Sequence, residues 1–384
     1  APGRRCCAAR TRSGVHVSWL REQADRRSAR GLRRGLSPRV SGQVDIASND
    51  YLSLSRDPQV IAAGVAALQE WGAGSTGSRL VSGHTALHAQ LEVTLATLLQ
   101  AEQVLTFSSG YLANLAAVTA LTDRETLLLS DAYNHASIVD ACRLSRATVT
   151  VFGNGDVEAV ERALIANRLP RAVVVTDAVF SVDGNLAPLP ALAAVCQRHG
   201  ATLIVDEAHS IGVTGGGAGS CAPWNWPGLV RTFTLSKALG SQGGGVAATG
   251  EVIEHLVNTA RSFIFDTGLA PAAVGSALAA TRRIIADPDL PDQALRCTRQ
   301  LAAIATGLGW EVAQFDAAVA SIRIGEPAVA VRAQQICADA GVDVGCFRPP
   351  SVPDGIARLR MTGHAGLRDL GPVEKALTMV KEQL

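Results

Sequence analysis

The sequence predicts an α/β fold, with a large, mostly parallel sheet domain followed by a smaller C-terminal α/β domain. Two observations carry this. From about residue 100, apolar runs of four to seven residues alternate with helix-like stretches, the βαβ rhythm of a sheet covered on both faces. After about residue 285 the alternation stops at "ADPDLPDQ" (286–293) and then restarts.

In chain order the first set of runs is "QVLTFSS", "TLLLSD", "ATVTVFG", "RAVVVTD", "ATLIVDE", "RTFTLS" and "GGVAATG". Their Val, Leu, Ile and Thr content suits strands buried on both faces. Between them lie helical segments such as "DVEAVERALIANRL" and "LPALAAVCQRHG", the second closed by a glycine stop. The second set reads "WEVAQF", "VASIRIG", a helix near 327–340, "VDVGCF", "ARLRMT" and a terminal helix. The expected organisation is an N-terminal arm and helix over 1–45, a large domain over 46–285 and a small domain over 286–384.

Composition narrows the class. A chain of 384 residues with 47% hydrophobic content, 18% charge and a net charge of +1 reads as a soluble globular protein. That balance points to no nucleic-acid or acidic-surface partner. No apolar run approaches the roughly 18 residues a membrane span needs. The eight cysteines lack zinc-type spacing and read as reduced, mostly buried thiols of a cytosolic protein. The opening "APGRRCCAARTRSG" is arginine-rich and without acids, and reads as a disordered terminus.

Ligands of open parallel sheets sit at the carboxyl ends of the strands. Those ends carry "SSGY", "SDAYNHAS", "TDAVFSVDG", "VDEAHS" and "TLSKALG". Lys237, in the last of these, is one of three lysines among 35 basic residues, the others being Lys375 and Lys381 near the C-terminus. Arginine stays protonated in proteins, whereas lysine can shed its proton and act as nucleophile or base. Asp206 could be a helix cap, and Asp206, His209 and His135 could be a metal set, but a metal leaves Lys237 idle. Pyridoxal phosphate uses every member: a lysine for the Schiff base and a carboxylate facing the pyridine nitrogen. "SSGYLANLAAV" offers a phosphate cradle, with Gly110 letting the backbone approach at a helix N-terminus, and Thr234 and Ser236 add hydroxyls. His135 is either a helix cap or a group stacked on the cofactor ring. Ser181 is either a turn hydroxyl or a donor near the ring's phenolic oxygen.

The segments "SNDYLSL", "GAGSTGSRLVSGHTALHAQLE", "SSGYLANL", "DAYNHASIVDACRLS", "VFSVDGNLAPL", "VDEAHSIGVTGGGAGS", "TLSKALG" and "RPPSVPDGIARLRMT" occur in the order found in the α-oxoamine synthases. From about residue 17 to its end the chain resembles that family, pyridoxal-phosphate enzymes of the aspartate-aminotransferase fold (fold type I). "FIFDTGLAP" and "GCFRPPSVP" resemble its actinobacterial biotin-pathway branch, which joins L-alanine to a pimeloyl thioester. The resemblance implies that Lys237 carries the cofactor, Asp206 faces the pyridine nitrogen, His209 neighbours the phenolic oxygen and His135 stacks on the ring. It implies cofactor contacts at Gly110, Tyr111, Ser181 and Thr234. Substrate contacts are implied at Arg33, with Arg34 as the alternative register, at His135 and Ser351, and at Arg360, which would clamp the amino-acid carboxylate. It further implies a cytoplasmic homodimer with interface sites, Thr267 reaching the neighbouring subunit's phosphate, and an acyl donor carried by acyl carrier protein or coenzyme A. Glycine C-acetyltransferase and other sister activities share this chemistry, and a catalytically silent cofactor-binding paralogue is a further alternative. Two departures stand out: Ser53 replaces the usual glycine of "DYLGL", and "SCAPWNWPGLV" is shortened.

Overall fold

The computed structural model describes residues 17–384 apart from positions 37, 223, 225 and 353. The arginine-rich opening, with Cys6 and Cys7, and two positions of the shortened segment therefore lie outside the described residues. The strands are β1 (Val44–Ile46), β2 (Gln103–Phe107), β3 (Thr126–Asp131), β4 (Thr148–Phe152), β5 (Arg171–Asp177), β6 (Thr202–Asp206), β7 (Leu229–Thr234), β8 (Gly244–Ala248), β9 (Val319–Gly325), β10 (Val342–Phe347) and β11 (Ala357–Thr362). Seven form one sheet in the order β2-β8-β7-β6-β5-β3-β4. From β7 to β4 the pairs are parallel, and β8 lies antiparallel between β7 and β2.

The alternation of side chains along a strand explains why these runs are apolar throughout. Val173 and Val175 of β5 point into one core with Ile138, Ile204 and Phe263. Val174 points into the opposite core with Leu192, Leu203 and Val205. Each such side chain contributes about 1.5–3 kcal/mol by burial, so a polar residue on either face is costly. The helix Leu189–His199 ends where predicted, at Gly200 with φ 64°. The six described cysteines are free, and five of them are buried.

Four strands make the smaller sheet, in the order β1-β10-β11-β9. Its first strand, β1, comes from ahead of the large sheet and pairs parallel to β10. Ile46, Ile322, Val344, Leu359 and Met361 pack there against Leu301 and Val380 of two flanking helices. The run "WEVAQF" differs from expectation, since a single antiparallel bridge, Val312 to Ile322, replaces a strand. Asp316 draws this segment off the sheet: its N–H donates to the Gly184 carbonyl, and its carboxylate accepts from Leu186 N at 2.9 Å.

Ser53 occupies left-handed backbone, φ 57° and ψ 26°, just before the turn Leu54–Arg56. That conformation disfavours a residue with a Cβ, but the Ser53 hydroxyl accepts from Gly366 N at 3.1 Å. Ser53→Ala keeps the strain and loses the bond, whereas Ser53→Gly loses the bond and relieves the strain. In denaturant titrations the glycine variant should be the more stable of the two by about 1 kcal/mol. Equal stability, or a more stable alanine variant, contradicts the strain at this position.

Candidate functional site

Because β5, β6 and β7 run parallel in register, their carboxyl ends place Asp177, Asp206 and Thr234 along one edge of the large sheet. A cavity of about 260 Å³ opens at that edge, lined by Gly110, Tyr111, Asn114, Asp206, Thr234 and Lys237 among others. A larger cavity, about 720 Å³, adjoins it and is lined by Arg34, Asn49, Ser181, Phe347, Ser351 and Arg360 among others. His135, His209 and Lys237 line both.

Asp206 is 6% exposed, and its carboxylate accepts from Asn114 Nδ2 at 2.7 Å and from Ala208 N at 2.8 Å. Asp177 is its register partner on β5, so two acids sit side by side. Asp177 has one longer donor, His135 N at 3.4 Å. Burial first, and then the Asp206 charge, push the Asp177 carboxyl well above the usual range. Of the pair, Asp177 is the one held protonated. Loss of hydration pulls the Lys237 amine down to about 8, with Asp206 opposing the fall and Arg360 adding to it. Lys237 is therefore a lysine that can become neutral.

His135 meets the first of the two expectations for it, the helix cap. It is the N-cap of the helix Ala136–Leu144, Nδ1 accepting from Ser137 N at 3.3 Å, and it also lines both cavities. His209 is buried, with Nδ1 2.6 Å from Tyr51 Oη. On the phosphate side, the helix Gly110–Ala120 begins at the cavity, capped by Ser109 Oγ accepting from Leu112 N at 3.2 Å. A Cβ on Gly110 would lie 3.0 Å from Thr234 Cβ, so glycine there keeps the helix terminus and β7 close. Thr234 Oγ1 donates to the Gly243 carbonyl at 2.9 Å and accepts from Ser236 N at 3.2 Å.

In the larger cavity Arg360 comes from β11 of the small sheet. It donates to the Ser181 carbonyl at 3.0 Å and to Asn49 Oδ1 at 2.9 Å, and its guanidinium carbon lies 4.3 Å from the Phe347 ring centroid. Its Nε is a buried donor with no partner among the described residues. Arg34 lines this cavity and donates to Ser351 Oγ at 3.3 Å. Arg33 lines a separate pocket against the helix Ser18–Ala29, and its carbonyl accepts from Arg348. Tyr111 is partly exposed and donates to Asp140 at 2.6 Å. Thr267 lines neither cavity of its own chain and forms a bridge to Ser78.

Several site residues were not singled out from the sequence. Asn114 holds Asp206 and Ser137 together, and its signal was its place one helical turn after Gly110 in "GYLAN". Asp177, Asn49 and Tyr51 had no such signal, because their roles depend on pairing across distant segments. Glu207, next to Asp206 in the sequence, does not line the cavity. It forms a buried ion pair with Arg231, whose remaining donors reach the Leu99 and Ala218 carbonyls at 2.6 Å each.

The donor set fits pyridoxal phosphate: an amine able to lose its proton, a fixed carboxylate, a close-packed helix N-terminus with hydroxyls, and an arginine donor awaiting an anion. Comparison with known proteins agrees. The family model for class I and II aminotransferases matches residues 41–370. An 8-amino-7-oxononanoate synthase of Mycobacterium leprae is 52% identical over 374 residues, covering 96% of each chain. One from Mycolicibacterium vanbaalenii is 54% identical over 360 residues, covering 92% of this chain and 93% of its own. Among solved structures, a serine palmitoyltransferase from S. paucimobilis with bound pyridoxal phosphate and myriocin matches at TM-score 0.87 and 27% identity, over 95% of this chain and 97% of that one. The chain thus belongs to the class I and II aminotransferase family and, within it, to the α-oxoamine synthases of the 8-amino-7-oxononanoate synthase kind.

Proposed function

We propose that this protein is a pyridoxal-phosphate-dependent 8-amino-7-oxononanoate synthase. It condenses L-alanine with a pimeloyl thioester, on acyl carrier protein or coenzyme A, and releases carbon dioxide and the free thiol. The observation that carries the chemistry is the meeting of two cavities at Lys237, His135 and His209. The substrate pair rests on the 52–54% identity to curated synthases of that name. A cytoplasmic homodimer is part of the same reading, with Thr267, directed away from its own cavity, serving the neighbouring subunit.

The cofactor supplies an electron sink for negative charge developing at the amino acid's Cα. The protein's own groups do the rest. Arg360 takes the alanine carboxylate, satisfying the Nε donor that lacks a partner. Lys237, neutral above about pH 8, holds the cofactor, then removes and returns the Cα proton. Asp206 keeps a proton on the ring nitrogen opposite it, and Asn114 fixes that carboxylate. His135, lining both cavities, would stack on the ring of the bound cofactor. Gly110, Tyr111 and Thr234 hold the phosphate, and Ser181 contributes to the wall around the ring. Arg34 and Ser351 guide the acyl donor. Arg34 fills this role because it lines the cavity that Arg33 does not reach.

Three outcomes are expected. First, the rate at which apoprotein captures pyridoxal phosphate should rise about tenfold per pH unit below pH 8 and level off above it, since a lysine with a depressed pKa is neutral above that value. Borohydride should then fix the cofactor on Lys237. A rate still rising at pH 10, or a label on Lys375 or Lys381, contradicts the assignment. Second, Asp206→Asn should fold but lose about 10²–10³-fold in exchange of the alanine Cα hydrogen with deuterated water. Near-normal exchange would remove Asp206 from the reaction. Third, in competition assays scoring thiol and amino ketone, alanine with pimeloyl thioester should give a higher kcat/KM than glycine with acetyl-CoA, glycine with succinyl-CoA or serine with palmitoyl-CoA. A winner among these three reassigns the protein to the corresponding sister activity, and no condensation with any pair favours a silent cofactor-binding protein.

A further inference from the structure

A buried chain of hydrogen bonds runs from Arg360 to His209, and its proton positions follow from what each group can donate. Arg360 Nη2 donates to Asn49 Oδ1 at 2.9 Å. A guanidinium has donors only, so Asn49 must turn its oxygen, and not its NH2, toward it. The same Oδ1 lies 3.0 Å from Tyr51 Oη. An amide oxygen accepts only, so the single Tyr51 proton points at Asn49. Tyr51 Oη also lies 2.6 Å from His209 Nδ1. With its proton committed to Asn49, Tyr51 can only accept there, and the hydrogen of that bond belongs to Nδ1. The opposite polarity sets two oxygen lone pairs 3.0 Å apart around a hydroxyl whose residue is 0% exposed, with no water to make good the lost bond.

The charge state of His209 follows from its surroundings. The ring is 7% exposed; Tyr51 beside it is kept protonated by burial, and the charged groups acting on the ring are Lys237, Arg360 and His135, all bases. Burial, and then these bases, hold it neutral. A neutral imidazole with Nδ1 protonated has a bare lone pair on Nε2.

We propose that Arg360, Asn49 and Tyr51 lock His209 as the Nδ1–H tautomer, so that Nε2 accepts a proton from whatever group is placed opposite it. Asn49 and Tyr51 are positioning residues in this scheme, acting through His209. A ring oxygen of the cofactor beside Nε2 then binds as a hydroxyl donor and not as a bare phenolate. That last consequence rests on the cofactor reading above. The tautomer itself is a property of the protein alone, so its failure can be told apart from failure of the proposed function.

The test is a long-range proton–nitrogen correlation spectrum of apoprotein labelled with ¹⁵N-histidine, the His209 signals being identified by their loss in His209→Asn. Between about pH 6 and 8, Nδ1 should fall in the protonated range and Nε2 in the unprotonated range. Asn49→Ala frees the Tyr51 proton to swing onto Nδ1, and the pattern should invert to Nε2–H. Tyr51→Phe removes the acceptor and should give a mixture of tautomers. In the cofactor-loaded Tyr51→Phe protein, the pH midpoint of the visible absorbance should move, while its melting transition stays cooperative. An Nε2–H ring in the unmodified protein overturns the proposal, and so does an Nδ1–H ring unchanged in both variants.

Discussion

The site is organised around one buried, hydrogen-bonded acid, Asp206. The parallel register of β5 and β6 sets Asp177 beside it, at about the 4.8 Å spacing of neighbouring strands. Burial and that neighbour push the Asp177 carboxyl well above its usual range. Asn114 and Ala208 N give Asp206 the shorter donors. Other groups respond to the Asp206 carboxylate. The charge limits how far the Lys237 pKa falls, and it opposes the loss of the proton from His135. Replacing a donor to Asp206 therefore disturbs Lys237, His135 and Asp177 together.

The second constraint is that the small sheet must deliver an arginine into the large domain's cavity. On β11, Arg358 and Arg360 are two residues apart and so lie on one face of the sheet. Both are buried, but only one is neutralised. Arg358 forms ion pairs with Asp183 at 2.7 Å and Asp354 at 2.6 Å. The Asp183 contact pins β11 to the turn after β5, and the Asp354 contact ties it to the loop just before β11. Arg360 receives no carboxylate, only the Ser181 carbonyl, Asn49 and the face of Phe347. A buried cation with a vacant donor is unfavourable unless an anion completes it. The ion-paired Arg358 thus helps hold Arg360, the arginine proposed to bind substrate, two residues away on the same strand.

Much of this was readable from the sequence because it depends on local pattern. The seven strands of the large sheet fall on the seven runs, though the edge strand β4, expected buried on both faces, is exposed at four of its five residues. Lys237, Asp206, His135 and Gly110 all sit at strand ends or helix starts, where period and punctuation mark them. "WEVAQF" reads as a strand by composition, yet Asp316 pulls it toward Gly184, a contact no window of sequence contains. Arg33 and Arg34 are adjacent in sequence and both basic, and only the packing against Ser351 separates them. Asp177 and Tyr51 were missed for the same reason. Their chemistry comes from partners 29 and 158 residues away in the chain.

The uneven use of cations is explained by burial. Arg231, Arg358 and Arg360 are each 4% exposed or less, and each keeps its charge by donating to carboxylates, carbonyls or an amide oxygen. A guanidinium offers no other solution, since it does not give up its proton in a protein. At position 237 that solution fails. The neighbouring bases His135 and His209 are held neutral, and Arg360 already supplies a fixed positive charge. A second permanent cation there would leave no group able to bond covalently to a carbonyl or to carry a proton away and return it. An amine can do both, because losing hydration lowers its pKa to about 8, within reach of its neutral form. In a chain that writes nearly every cation as arginine, the lysine stands where the proposed reaction has a proton to move.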